Sequence, residues 1–162
     1  MKNLNKQEIK ELLTIIPRDY PSMDIFHLTN NCDELTYELD DFCTSQGYLY
    51  ELMILDTDNC QNEKANKFDF EKNRYNRMSR LYDFVFVTIK LEDISDIDSF
   101  YAKLYPISKN AGKVLFIVEN DKDLRELEEK LIEKNYVAVN PIIDTFSNYQ
   151  ILSAQKMHGW GN

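Results

Sequence analysis

The run LYDFVFVTI, residues 81–89, limits what this chain can fold into more than any other stretch. Phe84, Val85, Phe86 and Val87 follow one another with no polar residue between them. A strand wetted on one face alternates apolar with polar, so this run predicts a strand covered on both faces. Lys113-Val114-Leu115-Phe116-Ile117-Val118 predicts a second such strand, entered through a turn at Gly112. Between them, Asp96 to Ser108 presents Ile97, Phe100, Tyr101 and Leu104 at helical spacing, disturbed by Pro106.

The same alternation extends both ways. Asn5 and Glu8 form a capping-box pair ahead of Ile9, Leu12, Leu13 and Ile16, and Pro17 stops that helix. Asp24 to Thr29 reads as a strand. Asn30 or Asn31 is the expected cap of a second helix, whose buried face is Leu35, Leu39, Phe42 and Cys43. Gly47 ends that helix, and Tyr48 to Leu55 is a second strand. Residues 56–67 form a polar loop, with a short strand expected at Phe68-Asp69-Phe70. Asp121 is the expected cap of a helix burying Leu124, Leu127, Leu131 and Ile132. Tyr136–Asn140 and Tyr149–Ala154 are strand-like and suit an antiparallel hairpin. Strand–helix alternation followed by strand–strand predicts one three-layer α/β/α domain over 1–162, with an N-terminal helix, a mostly parallel sheet and a short tail.

Composition removes several function classes. The 162 residues carry a net charge of −9, which repels nucleic acid and anionic membranes overall. No apolar run approaches the roughly 18 residues of a membrane span, and the N-terminus lacks an apolar signal core of about 7–15 residues. Cytoplasm is the expected location. Cys32, Cys43 and Cys60 make no CxxC. They are expected as free, small hydrophobes in a reducing compartment, with no zinc, iron–sulfur or disulfide framework. No glycine-rich loop ends in Lys-Ser/Thr, which excludes a P-loop ATPase.

Three stretches carry a resemblance. LYDFVFVTI followed by a helix, NAGKVLFIVEN followed by another, and YVAVNP…NYQILSAQK resemble the fourth and fifth strands and closing hairpin of class I S-adenosylmethionine-dependent methyltransferases. The likeness covers roughly residues 23–156. It implies a mostly parallel seven-stranded sheet closed by an antiparallel last strand. It also implies a cofactor crevice at Thr29, Asn30 and Asn31, with Asp56 at the ribose hydroxyls and Thr88 near the methyl group. The family's first turn is usually glycine-rich, because glycine reaches positive φ and leaves no Cβ against the cofactor. Here the turn is Thr29-Asn30-Asn31-Cys32, and all four glycines lie elsewhere. Asparagine tolerates the left-handed region, so the turn is expected as a shape without the open approach. The Asn/Asp-Pro-Pro-aromatic motif of amino-methylating members is absent from Thr88-Ile89-Lys90-Leu91. These departures, with the short chain, favour a degenerate, non-catalytic methyltransferase-like protein that serves as a binding or interaction domain. The alternative is an active methyltransferase with an atypical cofactor turn.

The remaining candidates are weaker. His27 falls within a strand with no adjacent nucleophile, and His158 and Trp160 lie in the tail KMHGWGN, suited to packing or docking. Asp93, Asp96 and Asp98 lack a calcium-loop register and read as a solvated helix start. KNRYNRMSR places Lys72, Arg74, Arg77 and Arg80 within nine residues. If helical, that run is an anion-binding stripe for phosphate or a short nucleic-acid segment, or it pairs with the chain's own acids or an acidic partner. A protein partner or a homodimer fits an interaction domain.

Overall fold

A computed structural model of the chain describes residues 4–58, 60–76, 80–142 and 148–157. The strands are β1 (Asp24–Thr29), β2 (Leu49–Ile54), β3 (Ala65–Lys67), β4 (Tyr82–Val87), β5 (Ser108–Glu119), β6 (Tyr136–Ile142) and β7 (Tyr149–Lys156). The helices are α1 (Lys6–Leu13), α2 (Glu34–Gln46), α3 (Ile97–Leu104) and α4 (Leu124–Glu133). All seven strands form one sheet in the order β3-β2-β1-β4-β5-β7-β6. The first five run parallel, and β7 lies antiparallel to both β5 and β6. This is the expected α/β architecture with its closing hairpin.

The apolar run of β4 explains the layering. Successive strand side chains point to opposite faces. Phe84 and Phe86 enter one core with Ile25, Leu52 and Leu115, covered by α1 and α2. Val85 and Val87 enter the other with Phe26, Phe116, Phe100 and Leu127, covered by α3 and α4. A central strand sandwiched this way has no solvent face and needs no polar alternation.

Local rules hold at most ends. The Asn5–Glu8 capping box forms, and Gly47 closes α2 in the left-handed region at φ 72°. Two caps differ from expectation. Asp33, not Asn30 or Asn31, caps α2 through a reciprocal pair with Thr36; Asp123, not Asp121, caps α4. The strand expected at 68–70 falls instead at Ala65–Lys67, because parallel pairing with Leu52–Ile54 fixes it there. Phe68 is then free to pack on Tyr75 and Phe100. Gly112 lies inside β5 rather than at its entry: a Cβ there would stand 2.8 Å from the Lys109 carbonyl oxygen and 2.9 Å from that of Tyr82. The β6 edge is interrupted by a register shift between Val137 and Asn140 and carries Pro141, which blunts it against further strand pairing.

Candidate functional site

Parallel α/β sheets open their binding crevices at the carboxyl ends of the strands, where the order reverses. Here that place is the end of β1, flanked by β2 and β4. It brings Thr29, Asn30, Asn31, Asp56 and Thr88 to one end of the sheet. Their hydrogen bonds run into the chain itself. The Asn30 side-chain oxygen accepts from the Lys90 backbone N–H at 2.8 Å, and its Nδ2 donates to Asp93 Oδ2 at 2.8 Å. Its carbonyl accepts from Asp56 N–H at 2.9 Å. Asn30 thus braces the β1 turn against both the β4–α3 and the β2–β3 connections. Neither Asn30 nor Asn31 has positive φ. The turn is built without the left-handed conformation expected of its asparagines, so glycine is not required there on backbone grounds.

A covalent tie adds to the brace. Cys32 and Cys60 form a disulfide with Cα atoms 5.3 Å apart, joining the β1–α2 turn to the loop after β2. The expectation of three free cysteines is corrected for this pair: 28 residues of sequence separation hide a contact made by two neighbouring parallel strands. Cys43 stays free and buried as expected, and burial pushes its thiol up to about 12.

The crevice floor is a closed polar chain. His27 is fully buried, with Nδ1 at 2.8 Å from the Tyr50 hydroxyl and Nε2 at 2.9 Å from Thr88 Oγ1. Thr88 Oγ1 donates to the Leu28 carbonyl, so Nε2–H is the donor to Thr88 and Nδ1 accepts from Tyr50. Burial lowers the imidazole to about 3, which keeps it neutral. Thr88 is 2% exposed and its hydroxyl is occupied on both sides. Asp56 is exposed, and its Oδ1 accepts from Asp58 N–H in a tight turn.

Beside the Asn30 brace, Lys122 and Glu92 pair at 3.5 Å between the connections that follow β5 and β4. The cleft under them, lined by residues such as Ile89, Leu91 and Val118, holds about 10 Å³. Pockets for cofactor-sized ligands run to about 300–1,000 Å³. At this crevice the Asn30 side chain and the Thr88 hydroxyl are engaged within the chain, Asp56 is exposed, and the cleft beside them is smaller than a cofactor-sized ligand.

The three aspartates expected at a helix start separate by task. Asp93 serves Asn30, Asp96 caps α3, and Asp98 pairs with Lys130 at 3.0 Å, a contact that lowers its carboxyl. Among the described residues no cluster could hold a metal, and no helix is long and apolar enough to cross a membrane.

The described part of the basic run, residues 71–76 and 80, is not helical. Residues 71–76 follow turns and bends, and Arg77 lies outside the described residues, as do His158 and Trp160. Arg80 turns back to Asp24 at 3.5 Å. Arg74 is exposed and bonds Asn76. Lys72 is exposed.

No family model and no curated protein matches the chain. Solved structures do. A TehB-like S-adenosylmethionine-dependent methyltransferase from Corynebacterium glutamicum superposes with a TM-score of 0.71 at 12% identity, covering 95% of this chain and 89% of that one. A putative S-adenosylmethionine-dependent methyltransferase from Listeria monocytogenes gives 0.63 at 12%, covering 93% and 98%. Phosphoethanolamine N-methyltransferase 2 of Haemonchus contortus, in complex with S-adenosyl-L-methionine, gives 0.69 at 13%, covering 93% of this chain and 52% of that one. The chain spans about half the length of that protein. Its fold is thus that of S-adenosylmethionine-dependent methyltransferases.

Proposed function

We propose that this chain is a degenerate methyltransferase-like domain that does not transfer methyl groups and acts as a binding or interaction domain. The observation that carries this reading is Asn30. Its side chain occupies the turn where a cofactor needs open backbone, and it is bonded at both polar ends to the β4–α3 connection. A cofactor entering there would have to displace two hydrogen bonds and push apart loops held by a disulfide. The alternative, an active enzyme with an atypical turn, draws support from Asp56, an exposed carboxylate at the end of β2 suited to vicinal hydroxyls.

Calorimetric titration with S-adenosylmethionine and S-adenosylhomocysteine separates the two. The expected result is no saturable binding at millimolar ligand. One-to-one binding with Kd below about 100 μM, about −5.5 kcal/mol, would overturn the non-catalytic reading. The partner on this reading is a protein. A second copy of the chain is a less natural partner through strand pairing at β6, because that edge is already interrupted.

A further inference from the structure

At the amino end of the sheet, opposite the crevice, Asp24 and Asp83 pair with Arg80 and Lys109, and a second group of cations gathers around the end of α3 outside the described ion pairs. Lys103 lies in the last turn of α3. Its Nζ donates to the Phe70 carbonyl at 2.8 Å and stands 5.4 Å from the Tyr75 ring centroid. Lys156, the last residue of β7, donates to the Ser108 carbonyl at 3.1 Å and stands 5.1 Å from the Tyr105 ring. Arg74 adjoins Tyr75 in sequence, and its charge reaches Lys156: burial first and Arg74 second lower that ammonium. The described ion pairs engage Lys64, Arg80, Lys109, Lys122, Arg125 and Lys130, and none engages Arg74, Lys103 or Lys156. Carbonyls and rings orient these heads but carry no net charge, so they do not neutralise them. Burial first, then the charges of Asp96, Glu71 and Asp69, raise the Tyr75 hydroxyl, and these three carboxylates bound the patch on that side.

We infer that Arg74, Lys103 and Lys156 form a docking surface for a carboxylate-rich segment of a partner protein. This extends the interaction-domain reading to a surface remote from the crevice. A peptide fits better than a nucleic acid for two reasons. Tyr75 is 2% exposed, and Tyr105 is covered by Lys156 and by an edge contact with Tyr136, so neither ring offers a stacking platform. A net charge of −9 also repels a long polyphosphate, whereas a short acidic segment feels chiefly the local field within a Debye length.

The test is fluorescence anisotropy at about 20 mM salt, using the full chain and a labelled glutamate-rich peptide of about ten residues. Three proteins are compared: the natural chain, Arg74→Glu, and Arg125→Glu as a control with the same charge change on exposed α4. The expected result is saturable peptide binding that weakens about tenfold in Arg74→Glu and less than about twofold in Arg125→Glu. Equal weakening in both variants would reduce the effect to net charge and overturn the inference. So would absence of binding at about 1 mM peptide, or tighter binding of a single-stranded oligonucleotide of equal length. The cofactor titration tests the non-catalytic reading separately, so failure of either leaves the other standing.

Discussion

The carboxyl end of this sheet and the cation group around the end of α3, at its amino end, treat their polar groups in opposite ways. At the carboxyl end, Asn30, Thr88 and His27 each find partners inside the chain, and a disulfide ties two of the loops together. At the amino end, Arg74, Lys103 and Lys156 keep their charge uncompensated by any carboxylate among the described ion pairs. A polar group satisfied internally gains little from a ligand, because the ligand must replace what it displaces. An uncompensated charge gains from any partner of opposite sign. On the proposed reading the carboxyl end is the less receptive of the two. Substitutions at the carboxyl end should cost stability, and substitutions at the amino end should cost binding.

The largest stability effect is expected at the disulfide. Its closed loop spans a sequence separation of 28, for which the chain-entropy account gives about 3.6 kcal/mol. Thermal unfolding with and without reductant should show the loss, and Cys32→Ser should reproduce it. Thiol titration of the denatured, unreduced protein should find one thiol, Cys43; three would remove the covalent tie from the comparison.

His27 sets the next effect, and its sign is fixed by burial. Its folded value of about 3 lies below the ordinary 6.5. Below that ordinary value the unfolded chain binds a proton that the folded chain refuses, so stability falls as pH falls. The slope is about 1.4 kcal/mol per pH unit, or about 2 kcal/mol between pH 6.5 and 5. Denaturant melts of the natural protein and His27→Gln across that window should diverge in slope. Parallel pH profiles would mean that His27 is not held neutral at the floor of the crevice.

Asn30→Ala follows, removing one acceptor for Lys90 N–H and one donor to Asp93. The expected cost is about 1–2 kcal/mol, from two hydrogen bonds on a partly buried side chain. A neutral outcome in urea melts would show that the turn is held by Cys32–Cys60 alone.

How much of this was legible in the sequence follows from interaction range. The sheet was readable because β4 and β5 are continuous apolar runs, and Gly47 and the Asn5–Glu8 box act within a few residues. The crevice residues were named only through the resemblance. Their engagement was not, because Asn30 meets Lys90 and Asp93 across some sixty positions of chain. The fate of Arg80 was hidden for the same reason: of the alternatives open to the basic run, pairing with the chain's own acids holds there, with Asp24 far off in sequence. Lys103 and Lys156 carried no local signal, since each stands alone in its own element and only the fold brings it near Arg74. Cys32 and Cys60 gave only an odd cysteine count, which pointed away from the pair they form.

Arg74→Glu is the smallest expected perturbation of the folded state and the sharpest test of the contrast. The side chain is exposed, and its hydrogen bond goes to Asn76, two residues away. Surface substitutions of this kind stay within about 0.5 kcal/mol. Reversing the charge also relieves its repulsion of Lys156, so the folded state should be unchanged or slightly firmer. Acidic-peptide affinity should meanwhile fall about tenfold. Affinity lost with stability intact would place the function of this end in its charge. Comparable losses of both would make Arg74 a structural residue and leave the two ends of the sheet alike.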